Sequence, residues 1–500
     1  MSKDIFDIER IPPALDAYLH DTNPWWHGKP GPLPPRYRRS AFHLIRKKLA
    51  ANLAPVVVVR GPRQVGKTTL QAQLIEEFIE KEKINPTRIL RVQFDELPSL
   101  RGLSDPVLSI ARWFENRILQ KTFNESARKG EPVFVFLDEV QNLKDWAPQL
   151  KALVDHHTVR VVVTGSSSLR IAAGHDSLAG RIATVDLGTL TLREIAGLRF
   201  KQEFNPFLKD NGVSPLADRE FWLGLAEHGK KNCDIRDQAF AAFSERGGYP
   251  IGHANPDVPW AELADQLNEN VIKRAIQHDL RIGDRGRKRD ENLLEEVFRL
   301  ACRYAGQSPR PAVFVQEAKQ SQDANVGWAR ILHYLKFLDA AMLIRLIQPM
   351  ELRLKRKKGS SKICLCDHAL RASWLQEQVP LTRQELQANP ELATMAGHIA
   401  ESITGYYLAG TAHLQVSHFP ERSVEPEVDF VLTVGTKRIP VELKYRRRID
   451  PHGDTVGLRA FLEKTANNAP FGVLVGMEDD ITVHDPRILT ISLPSLLLLR

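Results

Sequence analysis

Cysteine is scarce in this chain: 500 residues hold four, Cys233, Cys302, Cys364 and Cys366. Their spacing makes no zinc-binding set, and so few thiols exclude a disulfide-built scaffold. Reduced cysteines in a cytoplasmic protein are expected, with Cys364-x-Cys366 lying within a strand. Long apolar runs are missing as well. None approaches the about eighteen residues that a membrane span needs, and the Leu496–Leu499 tail is far too short. The charged stretch Met1–Arg10 carries no apolar signal region. There is no internal repeat and no low-complexity tract, and the histidines are scattered, with His156-His157 read as a helix-end cap. A net charge of +8 favours an anionic partner but is modest for this length. The chain is long enough for about three domains, each with its own core.

What is present begins with Val56-Val57-Val58-Val59, an apolar run that reads as a buried strand ending at Arg60. Gly61-Pro62-Arg63-Gln64-Val65-Gly66-Lys67-Thr68 follows at once, and a helical pattern runs on through Leu70, Leu74 and Phe78. This is the phosphate-loop pattern G-x-x-x-x-G-K-[ST] in its strand-to-helix setting. The two glycines let successive N–H groups turn inward, and the helix N-terminus adds partial positive charge for a di- or triphosphate. Residues Gly61 to Thr69 are therefore expected to hold the nucleotide. Lys67 would reach the β- and γ-phosphates, and the Thr68 hydroxyl would bind Mg²⁺. ATP and Mg²⁺ are the expected cofactors.

A second apolar strand, Val133 to Leu137, ends in Asp138-Glu139. Asp138 would hold Mg²⁺ through water and Glu139 would polarise the attacking water, since phosphoryl transfer rests on positioning and electrostatics. A third strand, Val159–Val163, runs into Thr164-Gly165-Ser166-Ser167-Ser168. The hydroxyls of Thr164 and Ser166 would sense the γ-phosphate or help place the water; equally, they would form a turn or cap after the strand.

These segments, GPRQVGKTT, FLDEVQNLKDW, VTGSSSLRI, SLAGR and LTLREI, resemble a prokaryotic family of AAA-type ATPases. That family joins its ATPase module to a C-terminal domain related to PD-(D/E)xK nucleases. The resemblance continues through FSERGGYP, KICLCDHALR, GHIAESITGYYL, VDFVL and VELK. It implies that Arg181, in SLAGR, is a γ-phosphate sensor or arginine finger, against the plainer reading of a solvated arginine at a helix start. It also leaves room for a homo-oligomer.

Basic residues cluster at Arg36–Arg39, Arg285–Arg289, Arg353–Lys358 and Arg446–Arg448. Helical patterns at Glu291–Tyr304, Val313–Ala318 and Asn325–Leu338 precede strand-like runs at Met342–Ile347 and Lys362–Cys366. The runs are joined by a tip holding Arg353, Lys355, Arg356, Lys357 and Lys358. Three helices and a basic two-stranded wing describe a winged helix, which commonly sets a helix in the DNA major groove and its wing on phosphate. DNA is thus the expected partner, with domain packing as the plainer alternative.

The final stretch reads as a helix at Met395–Leu408 carrying Glu401. Strands follow at Leu414–Phe419, Val428–Val434 and Arg438–Tyr445, then a helix at Gly457–Thr465 and a strand at Phe471–Val475. This αβββαβ order is that of a PD-(D/E)xK nuclease core. Period two puts Glu442 and Lys444 on one face of their strand. Asp429 and Glu442 would share Mg²⁺, Glu401 would complete the site, and Lys444 would act at the attacking water.

The fold class expected is α/β. Residues 1–50 form an N-terminal arm, whose proline- and tryptophan-rich stretch Met1–Pro35 reads as extended over the ATPase domain, and 51–200 form a P-loop ATPase domain of AAA type. Residues 201–290 form a helical lid with an insertion at Lys201–Lys231, 291–385 a winged helix, and 386–500 a nuclease-like domain. The function expected is an ATPase coupled to a DNA-binding winged helix and a metal-dependent nuclease. The alternatives are a regulatory or defence switch that binds nucleic acid or protein without cleaving and, more weakly, an ATP-dependent remodeller of proteins.

Overall fold

The computed structural model describes residues 11–94, 100, 103–143, 145–165, 178–209, 212–279, 290–322, 326–352, 355–356, 359–421 and 425–500. The chain divides into two compact units, Met1–Leu187 and Gly188–Arg500.

The first unit is built on five strands: β1 (Val56–Arg60), β2 (Ile89–Gln93), β3 (Phe134–Asp138), β4 (Arg160–Gly165) and β5 (Ile182–Asp186). All pair in parallel, in the order β2-β3-β4-β1-β5. The unbroken apolar runs of β1 and β3 are buried throughout, as strands covered on both faces require. Helices α1 (Pro13–Thr22), α2 (Ser40–Ala51), α3 (Lys67–Glu80), α4 (Pro106–Phe114), α5 (Phe123–Arg128) and α6 (Trp146–His156) accompany the sheet. The parallel order brings Gly61, Asp138, Gly165 and Asp186 to one edge, the carboxyl ends of the strands, where open α/β sheets bind ligands.

The N-terminal arm is not extended as expected. It folds into α1, a short 3₁₀ turn at Pro24–His27, and α2. The indole N–H groups of Trp25 and Trp26 both donate to the Ile89 carbonyl, at 3.1 and 2.9 Å. The Asn23 side-chain amide pairs with the Arg91 backbone in both directions, at 2.8 and 2.7 Å. The arm thus occupies the outer edge of β2, which would otherwise offer unpaired backbone groups. Apolar α1 residues Leu15 and Leu19 anchor it in the core.

The second unit contains two packed groups. Helices α7 (Leu192–Phe200), α8 (Arg219–Lys231), α9 (Cys233–Arg246), α10 (Pro250–Ala254) and α11 (Trp260–Leu267) lead in. The stretch Lys201–Lys231 is not a loose insertion: Trp222, Leu225 and Gly229 give α8 a buried stripe. The Gly247-Gly248-Tyr249-Pro250 break docks on Asp367, whose carboxylate accepts from the Gly248 N–H at 2.6 Å.

Helices α12 (Glu291–Arg303), α13 (Pro311–Gln322) and α14 (Trp328–Ala340) pack together, followed by β6 (Ile344–Ile347), the short hairpin β7 (Glu351–Leu352) and β8 (Lys355–Arg356), and β9 (Lys362–Leu365). Strand β9 returns to pair antiparallel with β6. Helices α15 (His368–Leu375), α16 (Arg383–Ala388) and α17 (Ala393–Ala409) come next. The second sheet follows, in the order β10 (Gln415–Phe419), β11 (Val428–Val434), β12 (Lys437–Lys444), β13 (Gly472–Gly476) and β14 (Ile488–Ser492). Its first three strands are antiparallel and its last two join in parallel, with α18 (Val456–Glu463) between β12 and β13 and α19 (Leu493–Leu496) after β14. Strand β14 was not anticipated.

The two groups interlock. The Leu365 N–H of β9 donates to Ser402 Oγ of α17 at 2.8 Å. Gly405 of α17 has no side chain because a Cβ there would lie 2.4 Å from Cys364 Sγ. The Met350 N–H donates to the His418 carbonyl and the His418 N–H to the Gln348 carbonyl, at 2.8 and 3.0 Å. The chain beyond β6 therefore caps the edge of β10.

Candidate functional site

The phosphate loop runs from the end of β1 to the start of α3. Gly61 must be glycine, since a Cβ would meet the Leu187 carbonyl oxygen at 2.0 Å. Gln64 and Gly66 take left-handed backbone angles, φ 61° and 94°, which coil Pro62, Arg63, Gln64 and Val65 into a tight turn. The Lys67 ammonium is buried in that turn and donates to the carbonyls of Gly61 and Pro62 at 3.0 and 2.7 Å. Arg39 braces the loop from the arm, its guanidinium donating to the Val65 carbonyl at 2.9 Å.

Across the loop, Asp138 is fully buried at the end of β3. The Thr68 hydroxyl donates to its Oδ2 at 2.8 Å, and the Thr164 hydroxyl, at the end of β4, donates to Oδ1. Gln71 of α3 donates in turn to Thr164 at 2.9 Å. The Arg91 guanidinium stands 3.9 Å from Oδ2. Glu139 follows with a left-handed φ of 52° and accepts from the Gln141 amide. A glycine cradle, a lysine, and a hydroxyl and carboxylate in contact make an all-oxygen donor set beside a phosphate seat. These residues fit Mg²⁺ and a nucleotide phosphate group.

Two expectations for this unit change. Thr164 does not face a phosphate; its hydroxyl is fully buried and committed to Asp138 and Gln71. Arg181 lies at the opposite end of the sheet, because its carbonyl accepts from the N–H of Val56, the first residue of β1. About 20 Å of strand separates it from Gly61, and it is ion-paired with Asp155. That position excludes it as a sensor for the nucleotide held by its own loop. Ser166 lies outside the described residues.

The second constellation is also brought together, with an unexpected member. The Lys362 ammonium of β9, its side chain 1% exposed, lies 3.0 Å from Asp429 Oδ1 and 3.5 Å from Glu427 Oε1. It is also bonded to Glu401 of α17. Asp429 Oδ2 accepts from the Leu443 N–H at 2.8 Å, and Lys444 Nζ lies 2.6 Å from Glu442 Oε1. Burial opposes charge on Lys362, but Asp429, Glu401 and Glu427 outweigh it and hold the ammonium well above the usual lysine range. Burial and the charge of Asp429 push the Glu442 carboxyl up, to about 8. Burial and the same neighbour raise Glu401 well above the carboxylate range.

Here the expected metal site does not hold. Among the described residues no three acidic, histidine or cysteine side chains form a group able to take a metal ion. Glu401 and Asp429 each give an oxygen to Lys362 and Glu442 gives one to Lys444, while Asp429 Oδ2 and Glu442 Oε2 accept from backbone N–H groups. Lys362 was missed from sequence. Its signal was period two in Lys362-Ile363-Cys364-Leu365-Cys366, which aligns the lysine with two buried cysteines.

The basic clusters separate in the same way. In Arg36–Arg39, Arg38 pairs with the buried Glu77 of α3 and Arg39 serves the phosphate loop. Arg446–Arg448 is exposed, with Arg446 paired to Asp454. Arg353, Lys357, Lys358 and the cluster Arg285–Arg289 lie outside the described residues. Sequence reading found the helix α14 but not its basic face, where Arg330, His333 and Lys336 are exposed at three-residue spacing. Ile331, Tyr334, Leu335 and Leu338 are buried on its other side.

Residues 54–196 match the model of an AAA domain. The first unit, with its parallel sheet and phosphate loop, is thus an AAA-type ATPase domain. Residues 237–380 match a domain of unknown function (DUF8612). Neither match includes Glu401, Asp429, Glu442 or Lys444. Two curated relatives, uncharacterized protein Mb2031c of Mycobacterium bovis and uncharacterized protein Rv2008c of Mycobacterium tuberculosis, are each 25% identical over 379 residues. Those matches cover 73% of this chain and 65% of either relative. Uncharacterized protein MJ1637 of Methanocaldococcus jannaschii is 32% identical over 312 residues, 62% of this chain and 60% of its own. A solved structure of the Aeropyrum pernix ORC1 protein in complex with DNA is 13% identical and covers 70% of this chain and 94% of that one. Its TM-score of 0.26 is too low to carry an argument. No helix among the described residues is long and apolar enough to cross a membrane.

Proposed function

We propose that this chain hydrolyses ATP in its AAA domain and uses the nucleotide state to control a nucleic-acid contact made by its second unit. One observation carries the first half: Thr68 and Asp138 touch at 2.8 Å beside the buried Lys67, so a magnesium ligand pair and a phosphate ligand share one edge. Bound Mg²⁺-ATP would supply the scissile phosphoryl group. The backbone N–H groups from Arg63 to Thr69 would orient the phosphates and Lys67 would neutralise them. Glu139, past the end of β3, would orient the water and receive its proton. Arg181 then has a role only toward the nucleotide of a neighbouring copy, which accords with a homo-oligomer.

The second half rests on α12, α13, α14 and the β6/β9 pair, which we read as a winged helix. The exposed face of Arg330, His333 and Lys336 supports α14 as the helix that meets DNA, with Lys355 and Arg356 in the wing on phosphate. The five-part division at residues 50, 200, 290 and 385 belongs to this reading. Cleavage is the second reading: the order α17, β10, β11, β12, α18, β13 is that of a PD-(D/E)xK core, and Asp429, Glu442 and Lys444 sit on neighbouring strands. The lysine-filled acidic cluster favours a switch that binds without cutting.

The test is ATP binding and phosphate release by the full chain, with and without DNA, against Lys67→Ala. Removing a charged hydrogen bond worth about 1.5–3 kcal/mol should weaken ATP binding about ten- to a hundredfold. Unchanged binding in Lys67→Ala would sink the nucleotide assignment. Cleavage of plasmid DNA by the native chain would favour the nuclease over the switch.

A further inference from the structure

Lys362 belongs to neither the nucleotide site nor the basic face. It enters the acidic cluster from outside the sheet that bears it, since β9 pairs with β6 while Asp429 and Glu442 stand on β11 and β12. A lysine ammonium is a compact point charge with three donors. Here Glu401, Glu427 and Asp429 each offer it an oxygen. The aromatic ring of Phe430 lies 5.1 Å from it. The ammonium has little freedom to withdraw. Its strand is tied to α17 by the Leu365–Ser402 hydrogen bond and by the close approach of Cys364 to Gly405.

A divalent ion would want the same oxygens. Two cations cannot share them, because like charges a few ångströms apart in a site with little water repel strongly. An ammonium also satisfies what a buried carboxylate most needs, a compensating charge with directed donors.

We propose that Lys362 is the resident cation of this cluster and, while β9 is docked on α17, excludes a divalent metal ion from it. The cluster then works as an electrostatic clasp between the strand pair and the second sheet. It is a nuclease-like site locked by its own chain. Opening it would require β9 to leave α17. The inference rests on the non-cleaving reading of the second unit and sharpens it.

Calorimetric titration of the full chain with Mn²⁺, without nucleotide, tests it. The native chain should take up no Mn²⁺ that depends on Asp429. Lys362→Gln, which keeps polar contact but removes the charge, should bind Mn²⁺ about tenfold tighter or better, because acidic oxygens are then left without a counter-charge. Adding Asp429→Asn to that variant should abolish the gain. A folded Lys362→Gln, judged by circular dichroism, that gains no Mn²⁺ binding would overturn the proposal. So would native uptake that Asp429→Asn removes. If Lys362→Gln does not fold, equal Mn²⁺ uptake by the native chain and Asp429→Asn supports the clasp. DNA cleavage by the native chain would defeat the non-cleaving reading itself. Asp429-dependent uptake without cleavage would defeat only the lysine's role.

Discussion

Two buried aspartates, Asp138 at the end of β3 and Asp429 at the start of β11, are satisfied by different donors. Asp138 receives the hydroxyls of Thr68 and Thr164, and the Arg91 guanidinium stands 3.9 Å away. Asp429 receives the Lys362 ammonium at 3.0 Å and a backbone N–H. Hydroxyls orient a carboxylate while leaving much of its charge available to an incoming cation. An ammonium orients and neutralises it together. The identity of the donor, more than the presence of the carboxylate, decides whether a buried acidic residue can serve a metal.

The comparison is sharpened most by Glu139→Gln. ATP should still bind, because the loop and Asp138 are untouched. Hydrolysis should fall about 10²–10⁴-fold with the loss of the group that takes the water's proton. Equal turnover by the variant and the parent would remove Glu139 from the reaction and weaken the contrast between the two acidic sites.

Acid should act on the second unit by a separate route. Burial pushes the imidazoles of His253 and His418 down to about 4 from an ordinary value of 6.5. The unfolded chain then binds protons that the fold refuses. The stability they contribute is complete above pH 6.5 and declines as pH falls toward 4, by at most about 3 kcal/mol for each histidine. Chemical denaturation between pH 7 and 4.5 measures this. A flat profile that stays flat in His253→Gln and His418→Gln would show that neither histidine is neutral in the fold.

The smallest expected effect concerns the basic face. Replacing Arg330, His333 and Lys336 with alanine should weaken DNA binding without changing ATP hydrolysis in its absence. The slope of log K against log salt should drop by ~0.9 for each phosphate that is no longer neutralised. An unchanged slope would make α14 a packing helix and leave the second unit without its proposed partner.

Much of the first unit was legible because its signals are local. The phosphate loop, its preceding strand and the Asp138-Glu139 pair each occupy a few consecutive residues, and each has one physical use. What escaped was set by residues far apart in sequence. Thr164 looked available until Asp138 and Gln71, contributed by β3 and α3, claimed its hydroxyl. Arg181 matched a motif, yet parallel pairing carried it to the other end of the sheet. In the second unit, the shared face of Glu442 and Lys444 followed from period two. The neighbour that matters most, Lys362, is 67 residues from Asp429. The arm was misread because proline and tryptophan suggested an extended chain, whereas Asn23, Trp25 and Trp26 are spent on covering a sheet edge.

The Arg236 guanidinium donates to Ser495 Oγ at 2.7 Å, closing a loop of 259 residues. The Tyr407 hydroxyl similarly meets the Leu497 carbonyl at 2.9 Å. During synthesis, α8 and α9 are therefore made long before the segment against which they pack. Their apolar stripes must wait, or be shielded, while more than half of the chain emerges behind them. The first unit has no such delay, since its arm and sheet find one another within the first 187 residues. Loop closure over such a separation is slow and leaves sticky surface exposed in the interval. On the ribosome the first unit can close early, while the second waits for the segment around Ser495 and Leu497.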